Sequence, residues 1–295
     1  MTLDEKKELL LQQCTKNQTI IEISPETHPI HITEWGNSGP VVLLIHGGVQ
    51  GGLGGGPINF INQRELVDKG YQLRVPNRPG FGESPSRGAD SQTADAIWIA
   101  EELGKGSHLV GHSFGGAEAL LAAAIRPEAV QSLVLIEPAL QPILATDLEG
   151  LKLPEIQEAL QVVSAPLMAA ESPGDFAKIF SECMGEGIDG GLNPSAAALQ
   201  AHPESAESLG CALLNAVLGT PQEMRTAADI VKAKGIPVFV ISGGYSPSQD
   251  ACCKAIARLT GGKHIIIPCP NHFIQQDSSK LFNEFLDQEI RNLNH

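Results

Sequence analysis

Aromatic side chains are scarce, only 4% of 295 residues, with two Trp and two Tyr. So few rings offer no evident stacking platform for large aromatic ligands. Basic charge is short too. Lys and Arg number 20 against 34 Asp and Glu, a formal net charge of −14. Such a surface repels phosphate backbones and anionic lipid, so neither nucleic acid nor a membrane is expected as a partner. Long apolar runs are missing. The longest, such as Val41–Ile45, have the length of a strand, and the N-terminus Met1-Thr2-Leu3-Asp4-Glu5-Lys6 lacks the apolar core of a secretion signal. A cytoplasmic location is the expectation. The six cysteines (Cys14, Cys183, Cys211, Cys252, Cys253 and Cys269) show no CxxC spacing, which excludes zinc-knuckle and thioredoxin-like patterns. Reduced, mostly buried thiols are expected, and no metal or organic cofactor.

What is present is a repeating βα pattern. With 42% hydrophobic residues, the chain can build one compact core. Thr19–Ser24 and Ile30–Trp35 are β-rich around a Pro-containing turn and read as a hairpin. Val41–Ile45 is continuously apolar, as a strand buried on both faces must be. Strand signals recur at Tyr71–Pro76, His108–Gly111, Ser132–Ile136, Pro237–Ile241 and His264–Ile267, with helical stretches near Phe60–Lys69, Ser91–Leu103, Gly115–Arg126 and Lys280–Leu293. This alternation predicts an α/β fold with a mostly parallel, doubly covered sheet. From about Pro138 to Gly235 it breaks. That stretch is rich in Ala, Glu, Gln and Leu, without a convincing strand, and Pro154, Pro173, Pro194 and Pro221 each stand where a helix would start. Residues 1–137 and 236–295 are therefore expected to form the core, and 138–235 an inserted helical cap.

Two motifs carry chemistry. Gly111-His112-Ser113-Phe114-Gly115 fits G-x-S-x-G and lies directly between a strand and a helix. A turn this tight strains the serine, and the flanking glycines relieve the crowding that lifts its hydroxyl above the sheet. Ile45-His46-Gly47-Gly48 follows another buried strand. A nucleophilic serine needs N–H donors aimed at the developing oxyanion, and a glycine turn supplies them. Gly48 and Phe114 N–H are assigned to this hole, with Gly47 as the fallback for the first. The loop continues through Gly51, Gly52, Gly54, Gly55 and Gly56 but lacks the Gly-Lys-Ser/Thr ending of a phosphate loop.

With these residues the chain resembles the α/β-hydrolase superfamily, over about Val41–Ile136 and Pro237–Leu293. Asn77-Arg78-Pro79-Gly80-Phe81-Gly82-Glu83-Ser84 is similar to that family's D-x-P-G-x-G-x-S loop, with Asn77 in place of the more usual Asp. The resemblance implies a cap between the sixth and seventh core strands. It also implies a base in the loop after the last strand, where Asn271-His272-Phe273 matches a common family sequence. His272 is the candidate; His46 and His112 are expected to support the motifs they stand in, and His28, His31, His202 and His295 to be solvated or core residues. The acid departs from the commoner pattern. Many relatives place an Asp after the seventh core strand, but Ser242-Gly243-Gly244-Tyr245-Ser246 holds none, and Asp250 comes late, at the start of a helix. Some relatives use the exit of the sixth strand, where Glu137 stands before Pro138. Glu137 is the expected acid and Asp250 the alternative. An ion pair of Glu137 with Arg78 or Arg126 is the structural alternative. The resemblance implies a serine hydrolase acting on a small, neutral, apolar ester or lactone. C–C bond hydrolysis, amide cleavage and perhydrolysis share the machinery, and a non-catalytic receptor that kept the fold is the rival of a different class. Leu167, Met168, Phe176, Phe180 and Met184 are candidates either to line a pocket or to pack cap helices together.

Overall fold

The computed structural model describes residues 2–14 and 29–293. Seven strands form one sheet: β1 (Ile32–Trp35), β2 (Val41–Ile45), β3 (Gln72–Pro76), β4 (Ser107–His112), β5 (Val130–Ile136), β6 (Val238–Ser242) and β7 (Lys263–Ile266). Their order is β1-β3-β2-β4-β5-β6-β7. Only β1, against β3, is antiparallel. The other arm of the expected hairpin, Thr19–Ser24, lies outside the described residues, as do His28 and His295.

The α-helices are α1 (Leu3–Leu11), α2 (Gly56–Asn59), α3 (Gln92–Glu102), α4 (Phe114–Ile125), α5 (Pro154–Leu167), α6 (Pro173–Glu182), α7 (Pro194–Ala201), α8 (Ala206–Asn215), α9 (Pro221–Ala233), α10 (Pro247–Thr260), α11 (Ile274–Asp277) and α12 (Ser279–Leu293). The stretch Ile61–Lys69 is 3-10 helix. Strand residues alternate between two cores, as a period of two requires. Leu43, Ile45, Leu109, Leu133, Leu135 and Val240 face α3, α4, α9 and α10. Val42, Leu44, Val110, Val134, Ile136 and Ile241 face Phe60, Leu66 and the Phe282, Leu286 and Ile290 stripe of α12. Both faces are covered, which is why these strands read as continuous apolar runs.

Between β5 and β6 the chain is helical. Pro154, Pro173, Pro194 and Pro221 each begin a helix, where the missing N–H costs nothing and the fixed φ suits the first turn. Ser172, Asn193 and Thr220 cap three of them through their side chains. Packing divides this insertion. Ile156 and Ala159 of α5 and Met224, Ala227 and Val231 of α9 belong to the sheet's own core. Helices α6, α7 and α8 instead form separate apolar clusters over the strand ends.

One expectation fails here. Cys14, after α1, is disulfide-bonded to Cys211 of α8, with Cα atoms 5.6 Å apart, while Cys252, Cys253 and Cys269 are buried free thiols and Cys183 is exposed. The two partners are 197 residues apart in sequence. Local spacing cannot report a pair that only packing of α1 on α8 brings together. Among the described residues no helix is long and apolar enough to cross a membrane.

Candidate active site

The chain passes from β2 outward to β3 and returns to β4 on the other side of β2, so loops diverge at the carboxyl ends of these strands. Such a switch point is where open α/β sheets bind ligands. The exits of β2, β4, β5, β6 and β7 bring His46–Gly48, Ser113, Glu137, Tyr245 and His272 to this one edge.

Ser113 has φ 54° and ψ −120°, a conformation that costs a non-glycine residue about 1–3 kcal/mol. Its surroundings explain why it persists. A Cβ on Gly111 would meet the Gly115 carbonyl oxygen at 2.4 Å, and one on Gly115 would meet the His46 oxygen at 2.4 Å. Only glycine lets strand, elbow and neighbouring loop close this tightly. Ser113 precedes α4, yet its side chain caps nothing. Phe114 is the first residue of α4, where an amide has no carbonyl one turn back to receive it. The glycine turn after β2 abuts this elbow, for a Cβ on Gly47 would lie 2.6 Å from the Ser113 Cβ.

Gly48, at φ +78°, is held from two sides. His46 Nδ1 bonds the Gly47 carbonyl at 2.9 Å, while its Nε2 accepts the Arg78 N–H at 3.0 Å. That second bond fixes the Nδ1–H tautomer. Burial, with Arg78 adding, lowers the His46 pKa to about 3, so the ring stays neutral. The fully buried Arg78 guanidinium donates to the Gly48 carbonyl at 2.8 Å and lies 4.5 Å from the Phe114 ring centroid. It thereby touches both residues assigned to the oxyanion hole. Glu118, Asp90 and Asp95 surround it, at 2.9, 3.1 and 3.4 Å. Burial opposes its charge, but the three carboxylates outweigh it and raise its pKa. Burial pushes the Glu118 carboxyl up, against the pull of Arg78.

Glu137 is the second strained residue, at φ 38°, and is 1% exposed. Its Oε1 accepts Gly243 N–H at 2.9 Å; its Oε2 accepts the Tyr245 hydroxyl at 2.9 Å and meets His272 Nδ1 at 2.7 Å. An acceptor-only carboxylate there makes His272 Nδ1 the donor, leaving Nε2 as the basic nitrogen. Neither Arg78 nor Arg126 pairs with Glu137: the first is taken by its own carboxylates, and the second bonds the Ala100 and Gly104 carbonyls. Asp250 lies apart from this pair, accepting the Ser242 hydroxyl at 2.5 Å and anchoring the β6 exit.

The groups around Glu137 stay neutral. Burial, then the Glu137 charge, raises the pKa of the Tyr245 hydroxyl and of the Cys253 thiol. Burial lowers His112 well below its ordinary value. His112 Nε2 donates to the His272 carbonyl at 3.0 Å, and the two rings lie 4.6 Å apart, a supporting role for the G-x-S-x-G histidine. The His272 backbone N–H is bound by the Met184 carbonyl, and Glu186 N–H by Pro270 O, so the insertion grips the His272 loop directly.

Sequence reasoning missed Tyr245 and this grip. The loop holding Tyr245 carried a signal, the absence of the usual acid. Met184–Glu186 carried none. Phe176, Leu167 and Phe180 turn out to pack with Leu10 of α1 rather than beside the serine. Phe114 instead belongs to an apolar cluster with Val49, Ala177, Leu199 and Leu209. Among the described residues, no group of three or more His, Cys, Asp or Glu could hold a metal ion.

Comparison with known proteins agrees with this fold. The profile of the alpha/beta hydrolase fold family matches residues 40–173. A 2-hydroxy-6-oxononadienedioate/2-hydroxy-6-oxononatrienedioate hydrolase of a Pseudomonas species is 36% identical over 114 residues, 36% of this chain and 39% of its own. The chain thus matches well under two thirds of that relative's length. A 2-(acetamidomethylene)succinate hydrolase of Mesorhizobium japonicum is 26% identical over 83% of this chain and 85% of its own. Among solved structures, a thermophilic esterase from Thermogutta terrifontis superposes with a TM-score of 0.60 at 20% identity, covering 92% of this chain and 97% of its own. By its sheet order, its strained serine between β4 and α4, and these likenesses, the chain has the α/β-hydrolase fold.

Proposed function

We propose that the protein is a serine hydrolase that cleaves a small neutral carboxylic ester or lactone through an acyl-enzyme. The observation that carries this is the 2.7 Å bond of a buried, doubly anchored Glu137 to His272 Nδ1, with the strained Ser113 at the neighbouring strand exit. In the reaction, His272 Nε2 takes the proton as Ser113 Oγ attacks the carbonyl carbon. Glu137 stabilises the imidazolium that forms. The carbonyl oxygen becomes an oxyanion and receives the Gly48 and Phe114 N–H groups. As the intermediate collapses, the ester C–O bond breaks and the leaving alkoxide takes the proton from His272. Water, deprotonated by the same nitrogen, then releases the acid and restores the serine.

Neutrality of the substrate is supported by the insertion. Between β5 and α9 its Lys and Arg residues are Lys152 and Lys178, both exposed, and Phe114 is flanked by aliphatic side chains. A second reading is hydrolysis of a C–C bond, favoured by the Pseudomonas relative, whose name denotes a dicarboxylate substrate. The test is fluorophosphonate labelling of Ser113 together with turnover of p-nitrophenyl esters, small lactones and a 2-hydroxy-6-oxo-dienoate. Ester or lactone turnover is expected. Turnover of the dienoate alone would select the second reading, and absence of labelling would leave only the receptor.

A further inference from the structure

Resting on that reading, we propose that the Tyr245 hydroxyl is a positioning group for the acid–base pair: it holds the Glu137 oxygen that receives His272 Nδ1–H and takes up part of its charge. The commoner arrangement puts the acid itself on the loop after this strand. Here the loop has no acid and turns two donors, Gly243 N–H and Tyr245 O–H, onto a carboxylate supplied by the neighbouring strand.

The geometry makes the hydroxyl more than a passive neighbour. It and His272 Nδ1 share one oxygen, Oε2, at 2.9 and 2.7 Å, while Oε1 is held separately. The carboxylate plane therefore has little freedom to swing. The phenol ring is fixed in turn. A Cβ on Gly243 would approach its Cδ1 to 2.8 Å and one on Gly185 its Cδ2 to 3.0 Å. Two glycines thus form the slot, one from the core loop and one from the insertion. The titratable groups around the pair are Cys253 and Asp250 of α10, Cys269 after β7, His112 of β4 and Asp277 of α11, the last held by the Asn271 amide. Asp250 is occupied by Ser242, His112 is bonded to the His272 carbonyl, and the thiols are buried and neutral. From the insertion, Gly185 brings no side chain. None of these replaces a lost Tyr245 donor on Oε2.

Two opposing effects follow from a proton donor on a carboxylate that must also stabilise an imidazolium. The donor orients the acid, which raises kcat. It also shares the negative charge, which tempers the attraction for a protonated His272. Tyr245→Phe keeps the ring and the slot and removes only the donor. The expected result is a fall in kcat of roughly 10- to 150-fold, the order of one hydrogen bond to a charged group, with KM within about twofold. The acid limb of kcat/KM should move to higher pH by about half a unit, because undivided carboxylate charge favours the imidazolium.

A measurement without substrate separates this from the hydrolase reading. The His272 ring proton, assigned by comparison with His272→Gln, is titrated by NMR in the parent protein and in Tyr245→Phe. A shift of its transition to higher pH supports the proposal even where no substrate has been found. An unmoved transition overturns it, whether or not Ser113 is labelled by fluorophosphonate. Loss of activity with an unmoved transition and a lowered Tm would make Tyr245 a structural plug, which also overturns it.

Discussion

The exits of β4 and β5 lie side by side and solve the same problem in different ways. Each ends in a non-glycine residue at positive φ, Ser113 at 54° and Glu137 at 38°, the two such residues among those described. At the first exit, crowding is relieved locally by Gly111, Gly115 and Gly116. At the second there is no glycine, and Pro138 follows. The two turns support one another: Ser113 N–H donates to Ile136 O at 2.9 Å, and Ala139 N–H donates to Ser113 O at 2.8 Å. A Cβ on Gly116 would strike the Pro138 Cβ at 2.8 Å. The glycines of the serine turn therefore make room for the glutamate turn as well. Strain at one exit is stabilised through the other, which places Ser113 and Glu137 in a fixed relation before any ligand binds.

The largest expected effect falls on the first exit. Ser113→Ala should lower kcat by on the order of 10⁴-fold or more with an unchanged circular dichroism spectrum. Residual activity above a few per cent on a pure substrate would remove Ser113 from the chemistry. Next comes the second exit. Glu137→Gln should cost about 10²–10⁴ in kcat, while Asp250→Asn stays within a few-fold. Exchanged behaviour of these two variants would move the acid to the β6 exit. A smaller effect tests the contact between the turns. Gly116→Ala should destabilise by about 1–3 kcal/mol through overpacking against Pro138, read as a lower Tm, with kcat down about tenfold. A full-strength enzyme with an unchanged Tm would show that the turns are independent. The smallest effect lies at the insertion's grip on the His272 loop. Gly185 has φ +92°, and a Cβ there would sit 2.5 Å from Pro270 O. Gly185→Ala is expected to lower kcat a few-fold without abolishing labelling of Ser113; no change in kcat would make the grip on the His272 loop incidental.

The two exits also differ in how far they were legible. The serine turn announces itself because its strain is relieved by neighbours in sequence, so the glycines leave a pattern. The glutamate turn is supported by neighbours in space, and Glu137 was reachable only through an empty position on another loop and the resemblance to a family. The four prolines that open α5, α6, α7 and α9 were readable for the same local reason. The apolar lining next to Phe114 was not, because Leu, Phe and Met look alike whether they face a ligand or another helix. Phe176 and Phe180, stacked at 6.5 Å between ring centroids, serve the packing of α1 on the insertion.

By itself, the order of residues determined the doubly covered parallel sheet, through continuous apolar strands and helices between them. It determined the serine elbow and the glycine turn beside it, because backbone sterics act between adjacent residues. Tertiary structure alone decided which carboxylate meets His272, that Tyr245 shares it, that Arg78 ties Gly48 to Phe114, and that Cys14 finds Cys211. Each of these joins groups on different strands or helices. Their meeting depends on sheet order and packing, and no local spacing in the chain encodes it.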